Sequence, residues 1–144
     1  ETKKAIREFR RFIEDFPTSD LVPETEERIK ELRSKLAEKD LMIAENYLQW
    51  KYYQSVERYC EMIQDSYKEV GIVNRSRFLL ARTKHLQGKL NEALEMLGEL
   101  SGEASEGLKT QVTEEIQKVR ESISKSAPES VGVQDPIGGS QEHK

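Results

Sequence analysis

Glycine is missing from the first 70 residues of this 144-residue chain, and proline occurs only at 17, 23, 128 and 136. Long stretches are therefore without the two strongest helix breakers and are free to be helical. A single cysteine, Cys60, excludes a disulfide framework and a multi-cysteine zinc site, and the thiols say nothing of compartment. His85 and His143 are the only histidines, and neither has a second His or Cys at ligand spacing, so no metal or other cofactor is expected. No run approaches the roughly 18 to 20 apolar residues of a membrane span, and no basic start leads into an apolar segment as in a signal peptide. Charge of one sign is also lacking. The 27 acidic and 23 basic residues are interspersed and give a net charge of -4, which carries no nucleic-acid footprint. With 35% apolar and 35% charged residues, the apolar supply is modest, enough for one helical domain or a short repeat array. Residue 1 is Glu, so the chain is expected to begin inside a longer gene product.

What is present is helical periodicity. Ala5, Phe9, Phe12 and Phe16 share one face of a first segment that Pro17 stops. Pro23 suits the first turn of the next helix, and Glu24, Glu26 and Glu27 favour the positive end of its dipole. No breaker follows until about residue 50, which predicts a helix of about 28 residues and ~42 Å. Its first half is single-faced, with Ile29, Leu32 and Leu36 inward and Glu24/Arg28, Glu26/Lys30 and Glu31/Lys35 spaced for outward ion pairs. Its second half carries two stripes, Ala37, Leu41, Ala44 and Leu48 on one side and Ile43, Tyr47 and Trp50 on another. A helix apolar on two sides must be covered on two sides, as the inner helix of a stacked array is. Further helices are expected at about 54 to 67, 73 to 87 and 91 to 100, with Gly88 turning between the last two and Asn74 as an N-cap. After a loop at SGEASEG, Leu108, Val112, Ile116, Val119 and Ile123 mark a closing helix. No segment alternates with period two, so the fold is read as all-α. The last residues, 126 to 144, have few large apolar side chains and no period, and are expected to be a disordered tail.

Offsets along these helices repeat. Ala5, Phe9 and Phe12 stand at 0, 4 and 7; Val56, Cys60 and Ile63 do the same, and so do Ala93, Leu97 and Leu100. Gly88 lies five residues before Ala93, and Lys51 five before Val56. These are the small-residue, large-residue and turn positions of a tetratricopeptide repeat, whose period of about 34 compares with the 37 residues from Val56 to Ala93. The longer interval from Ala5 to Val56 reflects the long helix. The expected organisation is the second helix of a truncated repeat at 1–17, a repeat with an extended first helix at 23–68, a repeat at 72–101, a capping helix at 107–125 and the tail. A missing first helix predicts an exposed apolar face around Phe9 and Phe12 unless something else covers it.

The run AIREFRRFIEDFPTSDLVPETEERIKELRSKLAEKDLMIAENYL resembles the C-terminal half of the BamD (ComL) family, the tetratricopeptide lipoproteins of the outer-membrane β-barrel assembly machine. The marks are FRRFIEDFP, a short polar loop and VPE, then the long helix; YQSVERYCEMIQDSY follows in register, with Lys51 and Lys68 where the family usually carries Gly and Pro. The resemblance covers about residues 3 to 100. It implies an exported protein, lipid-anchored through an N-terminal cysteine on the periplasmic face of the outer membrane, whose C-terminal repeats dock a POTRA domain of BamA among other assembly subunits. Cys60 cannot be the lipidated cysteine, because it follows Glu57, Arg58 and Tyr59 mid-helix rather than a cleavage site.

Catalysis has little support in the residues. Cys60 falls at a repeat core position and reads as a small buried hydrophobe, the acidic residues are mostly partnered at helical spacing, and no glycine-rich phosphate loop follows a strand. The chain is therefore read as a non-enzymatic adaptor. Its candidate partner-binding residues are Trp50, Tyr52, Arg58, Tyr59 and Arg82, because aromatics and Arg dominate interface hot spots. Tyr53 is read as core, and Trp50 also as cover for an exposed helix end. Arg58 and Tyr59 lie where the resemblance implies contact with BamA, although the family often carries a basic residue at the Tyr59 position. The basic run Arg75, Arg77, Arg82 and Lys84 fits either an acidic partner or a solvated face. Two other classes stay open: a cytosolic tetratricopeptide scaffold for a peptide tail, and an enzyme built on His85, Cys60 and a carboxylate should these converge in a cleft.

Overall fold

The computed structural model describes residues 1–127, which form six helices and no strand. The first, α1 (Thr2–Asp15), ends just before Pro17, and the Phe16 backbone N–H closes it on the Phe12 carbonyl. α2 (Val22–Gln49) has Pro23 and Glu24 in its first turn, as expected. Arg28 pairs with Glu31 rather than with Glu24. α3 (Tyr53–Ser66), α4 (Val70–Leu86), α5 (Leu90–Ser101) and α6 (Glu106–Ser126) follow through short turns. Each helix packs on the next; α2 also meets α4 and α4 also meets α6, whereas α1 touches α2 alone. The result is an all-α tetratricopeptide-like array of antiparallel hairpins. Its long α2 is covered on both sides, by α1 and α3 and by α4.

Two apolar clusters hold the array, and α4 contributes to both. One joins Ala37, Leu41, Ala44 and Leu48 of α2 to Val56, Cys60 and Ile63 of α3, with Tyr67 and Leu79. The other joins Ala81 of α4 to Ala93, Leu97 and Leu100 of α5 and to Leu108, Val112 and Val119 of α6. The repeated offsets are therefore core positions in both hairpins: Val56, Cys60, Ile63, Ala93, Leu97 and Leu100 are all fully buried. Small residues on α4 let its neighbours approach. Ser76 and Thr83 are also fully buried, and their hydroxyls donate to the Val73 and Leu79 carbonyls at 2.8 Å, so neither is left unsatisfied.

The turns are copies as well. After α2, the Lys51 N–H donates to the Leu48 carbonyl and the Tyr52 N–H to Tyr47; after α4, Gly88 donates to His85 and Lys89 to Lys84. Both are αL helix ends with a backbone bond that spans five residues. Gly88 has φ 79° and Lys51 has φ 62°, so Lys51 adopts a conformation that glycine adopts without steric cost.

The structure corrects three local expectations. α4 starts at Val70 with Glu69 as its N-cap, so Asn74 lies inside the helix, buried, with its Nδ2 donating to the Glu103 carbonyl at 3.4 Å. Phe9 and Phe12 are half-buried, and the exposed apolar side chains at this end are Phe16 and Leu21. Ser126 belongs to α6; the rest of the expected tail, apart from Ala127, lies outside the described residues.

Candidate docking surface

The turn between α2 and α3 gathers four aromatic rings. Tyr47, half-buried on the last turns of α2, is the hub: its ring centroid lies 6.1 Å from Trp50, 6.3 Å from Tyr52 and 5.4 Å from Tyr59. Trp50 and Tyr52 stand 6.3 Å apart and edge-on, and they are 60% and 59% exposed. The αL bend at Lys51 permits this, because it reverses the chain within two residues and places both flanking aromatics beside Tyr47. Large aromatics left this exposed yet held by ring-to-ring contacts form a preorganised apolar surface. Tyr53 turns the other way and packs on the first core, as expected.

Of the five candidate residues, Trp50, Tyr52 and Tyr59 are brought together, and Arg58 neighbours Tyr59 on α3 with its side chain exposed. Arg82 belongs to a different surface. It lines a groove of about 550 Å³ between α2, α4 and α6, whose floor includes Phe78, Leu79 and Leu108. The basic run on α4 is largely tied to carboxylates of neighbouring helices, with Arg75 and Arg82 still exposed. Arg75 pairs with Glu38, Arg77 with Glu103 at 2.6 Å, and Lys84 with Glu57 at 3.1 Å. The bond to Glu57, together with Glu92, holds the Lys84 ammonium above its ordinary pKa despite partial burial. Among the described residues Arg82 alone of that run makes no ion pair.

The reactive groups do not converge as an enzyme built on Cys60 requires. Burial above all, with Glu57 and Glu61 nearby, pushes the Cys60 thiol up to about 12, so its thiolate is suppressed. His85 instead meets Glu115 of α6, Nδ1 to Oε1 at 2.7 Å, and its Nε2 lies 3.1 Å from Ser122 Oγ. A carboxylate, an imidazole and a hydroxyl in series is the connectivity of nucleophilic hydrolases. Ser122, however, sits within α6, its hydroxyl donates to the Lys118 carbonyl, and the adjacent backbone N–H groups are held in helical bonds, leaving no donors for an oxyanion. The chain of groups joins α4 to α6 around the buried Glu115 carboxylate. Sequence reasoning missed this tie, since His85 and Glu115 are thirty residues apart with no motif linking them. Among the described residues no group of three His, Cys, Asp or Glu is arranged to hold a metal, and no helix is long and apolar enough to cross a membrane.

The described residues thus form a helical array that presents an aromatic turn and grooves between its helices. The YfiO outer membrane lipoprotein family model matches residues 1–96, and the chain belongs to that family, which is the BamD/YfiO family. No curated protein matches. Membership places the chain among outer membrane lipoproteins, in the setting of outer-membrane assembly. The matched stretch covers α1 to α4 and the start of α5, and so includes the whole aromatic turn.

Proposed function

We propose that this chain is the C-terminal repeat portion of a non-enzymatic adaptor of the β-barrel assembly machine, and that it docks a POTRA domain of BamA without cofactor or nucleotide. The observation that carries the reading is the exposed pair Trp50 and Tyr52, seated against Tyr47, which in turn meets Tyr59, next to Arg58 on α3, in a chain of the YfiO family. Anchored aromatics next to an arginine are the composition of interface hot spots, each worth about 2 kcal/mol or more when central. In the full-length protein the adaptor sits on the periplasmic face of the outer membrane, held by an N-terminal lipid. The test is titration of BamA POTRA domains against the parent chain, Arg58→Glu, Tyr59→Ala and the exposed-site variants Trp50→Ala and Tyr52→Ala. Affinity is expected to fall at least tenfold in the aromatic variants. Unchanged affinity in all four overturns the site, and no binding by the parent overturns the function.

The groove along α4 supports a second reading, a tetratricopeptide scaffold for a peptide tail. Arg82, unpaired among the described residues above an apolar floor, suits the carboxylate of such a tail. Titration of a peptide with a free C-terminal carboxylate against the parent chain and Arg82→Ala discriminates, since binding that the variant loses supports this reading and no binding by the parent removes it.

A further inference from the structure

α1 and α3 both pack on α2 but not on each other, which leaves a groove of about 290 Å³ with the middle of α2 as its base. Its apolar floor is formed by Ile6, Leu36 and Met62, the last 36% exposed. One wall is a row of cations. Lys3, Arg7 and Arg10 recur at i, i+4 and i+7 on α1, about 10 Å from first to last along the axis. All three are exposed and form no ion pair among the described residues. One acid, Asp40, and a fourth cation, Arg33, also line the groove. Asp40 accepts the Tyr67 hydroxyl at 2.7 Å, and Arg33 is held by the Ser66 carbonyl, by Glu69 and over the Tyr67 ring. A concentrated positive wall is thus maintained in a chain whose net charge is -4.

We propose that this groove is a docking site for an acidic amphipathic helix carried by a protein partner. Carboxylates at i, i+4 and i+7 of such a helix match the spacing of the three cations, and the adjoining apolar stripe fills the floor, where the flexible Met62 adapts to its shape. The concavity favours a helix over an anionic membrane, because a flat bilayer surface reaches the exposed cations but not the half-buried Leu36 at the base between α1 and α3. The inference stands on the groove itself and goes beyond the POTRA reading, whose aromatic turn follows the C-terminal end of α2 while the groove lies over its middle.

The test uses the full 144-residue chain and a fluorescent 14-residue helical peptide with Glu at i, i+4 and i+7 beside a leucine stripe. A scrambled peptide of the same composition and phosphatidylglycerol vesicles serve as comparisons. The matched peptide is expected to bind at least tenfold tighter than the scrambled one, to weaken with salt, and to shift the Met62 methyl resonance. Arg7→Glu with Arg10→Glu is expected to lower its affinity at least tenfold, and Lys3→Glu less. Tyr52→Ala, which tests the POTRA reading, is expected to leave peptide binding unchanged. Equal binding of both peptides, full affinity in the double variant, or binding to vesicles alone overturns the proposal.

Discussion

The hairpins α2–α3 and α4–α5 share a plan and differ in what they do with it. Both reverse through an αL turn with the same two backbone bonds, and both bury the residues at offsets 5, 9 and 12 after the turn residue. The α4–α5 hairpin follows the economical solution, with glycine at the bend and Ala, Leu and Leu behind it. The α2–α3 hairpin places Lys51 at the bend and Val, Cys and Ile in the core, and surrounds the turn with Tyr47, Trp50, Tyr52 and Tyr59. Local strain and exposed aromatics thus coincide at one turn, where a purely structural repeat has neither. A position that departs from the common pattern while the framework is kept is where a binding role is read.

The comparison breaks most sharply at the second core position. Leu97→Ala is expected to cost about 2 to 5 kcal/mol, since it opens a cavity at a fully buried site joining α4, α5 and α6. Cys60→Ala at the equivalent site removes one sulfur and is expected to cost about 1 kcal/mol. Denaturant unfolding of both variants measures the difference, and equal losses would show that the two cores are not equivalent. The tie to α6 is particular to the second hairpin. His85→Ala leaves the buried Glu115 carboxylate without its partner and is expected to cost about 3 kcal/mol, whereas His85→Leu with Glu115→Leu is expected to recover most of that. A double-mutant cycle followed by thermal unfolding reads the coupling. The smallest effect is at the turns, where the sign is expected to differ. Lys51→Gly should raise stability by about 1 kcal/mol by relieving the αL strain, and Gly88→Ala should lower it by about as much. Equal and opposite shifts in denaturation midpoint would confirm that the bends are one motif, and a loss at Lys51→Gly would mean that its side chain stabilises the turn.

Much of the fold was legible in the residues. The interval without glycine or proline marks the long α2, the stripes of Ala37, Leu41, Ala44 and Leu48 mark its buried face, and Gly88 marks the bend before α5. The misread start of α4 has a local reason. Asn74 has the chemistry of an N-cap, but the preceding turn from Val70 is already helical, and Asn74 instead reaches the Glu103 carbonyl across the loop that precedes α6. The candidate surface was legible in part. Trp50, Tyr52 and Tyr59 are close in sequence, so their convergence follows from one turn. Arg82 sits apart from them because α4 presents it to the groove facing α2 and α6.

The sequence by itself determined six helices and the bends between them, because helical hydrogen bonds and the 3.6-residue period act within a few residues of each position. Only the tertiary structure decided which polar side chains meet. Glu38 with Arg75, Glu57 with Lys84, Arg77 with Glu103 and His85 with Glu115 join residues 26 to 37 positions apart. The same packing left Lys3, Arg7 and Arg10 facing an open groove, since α1 lies against α2 alone. Charges of both signs recur throughout the chain, so a charged residue is tied or free according to the helix that packs beside it, and spacing along one helix carries no record of that neighbour.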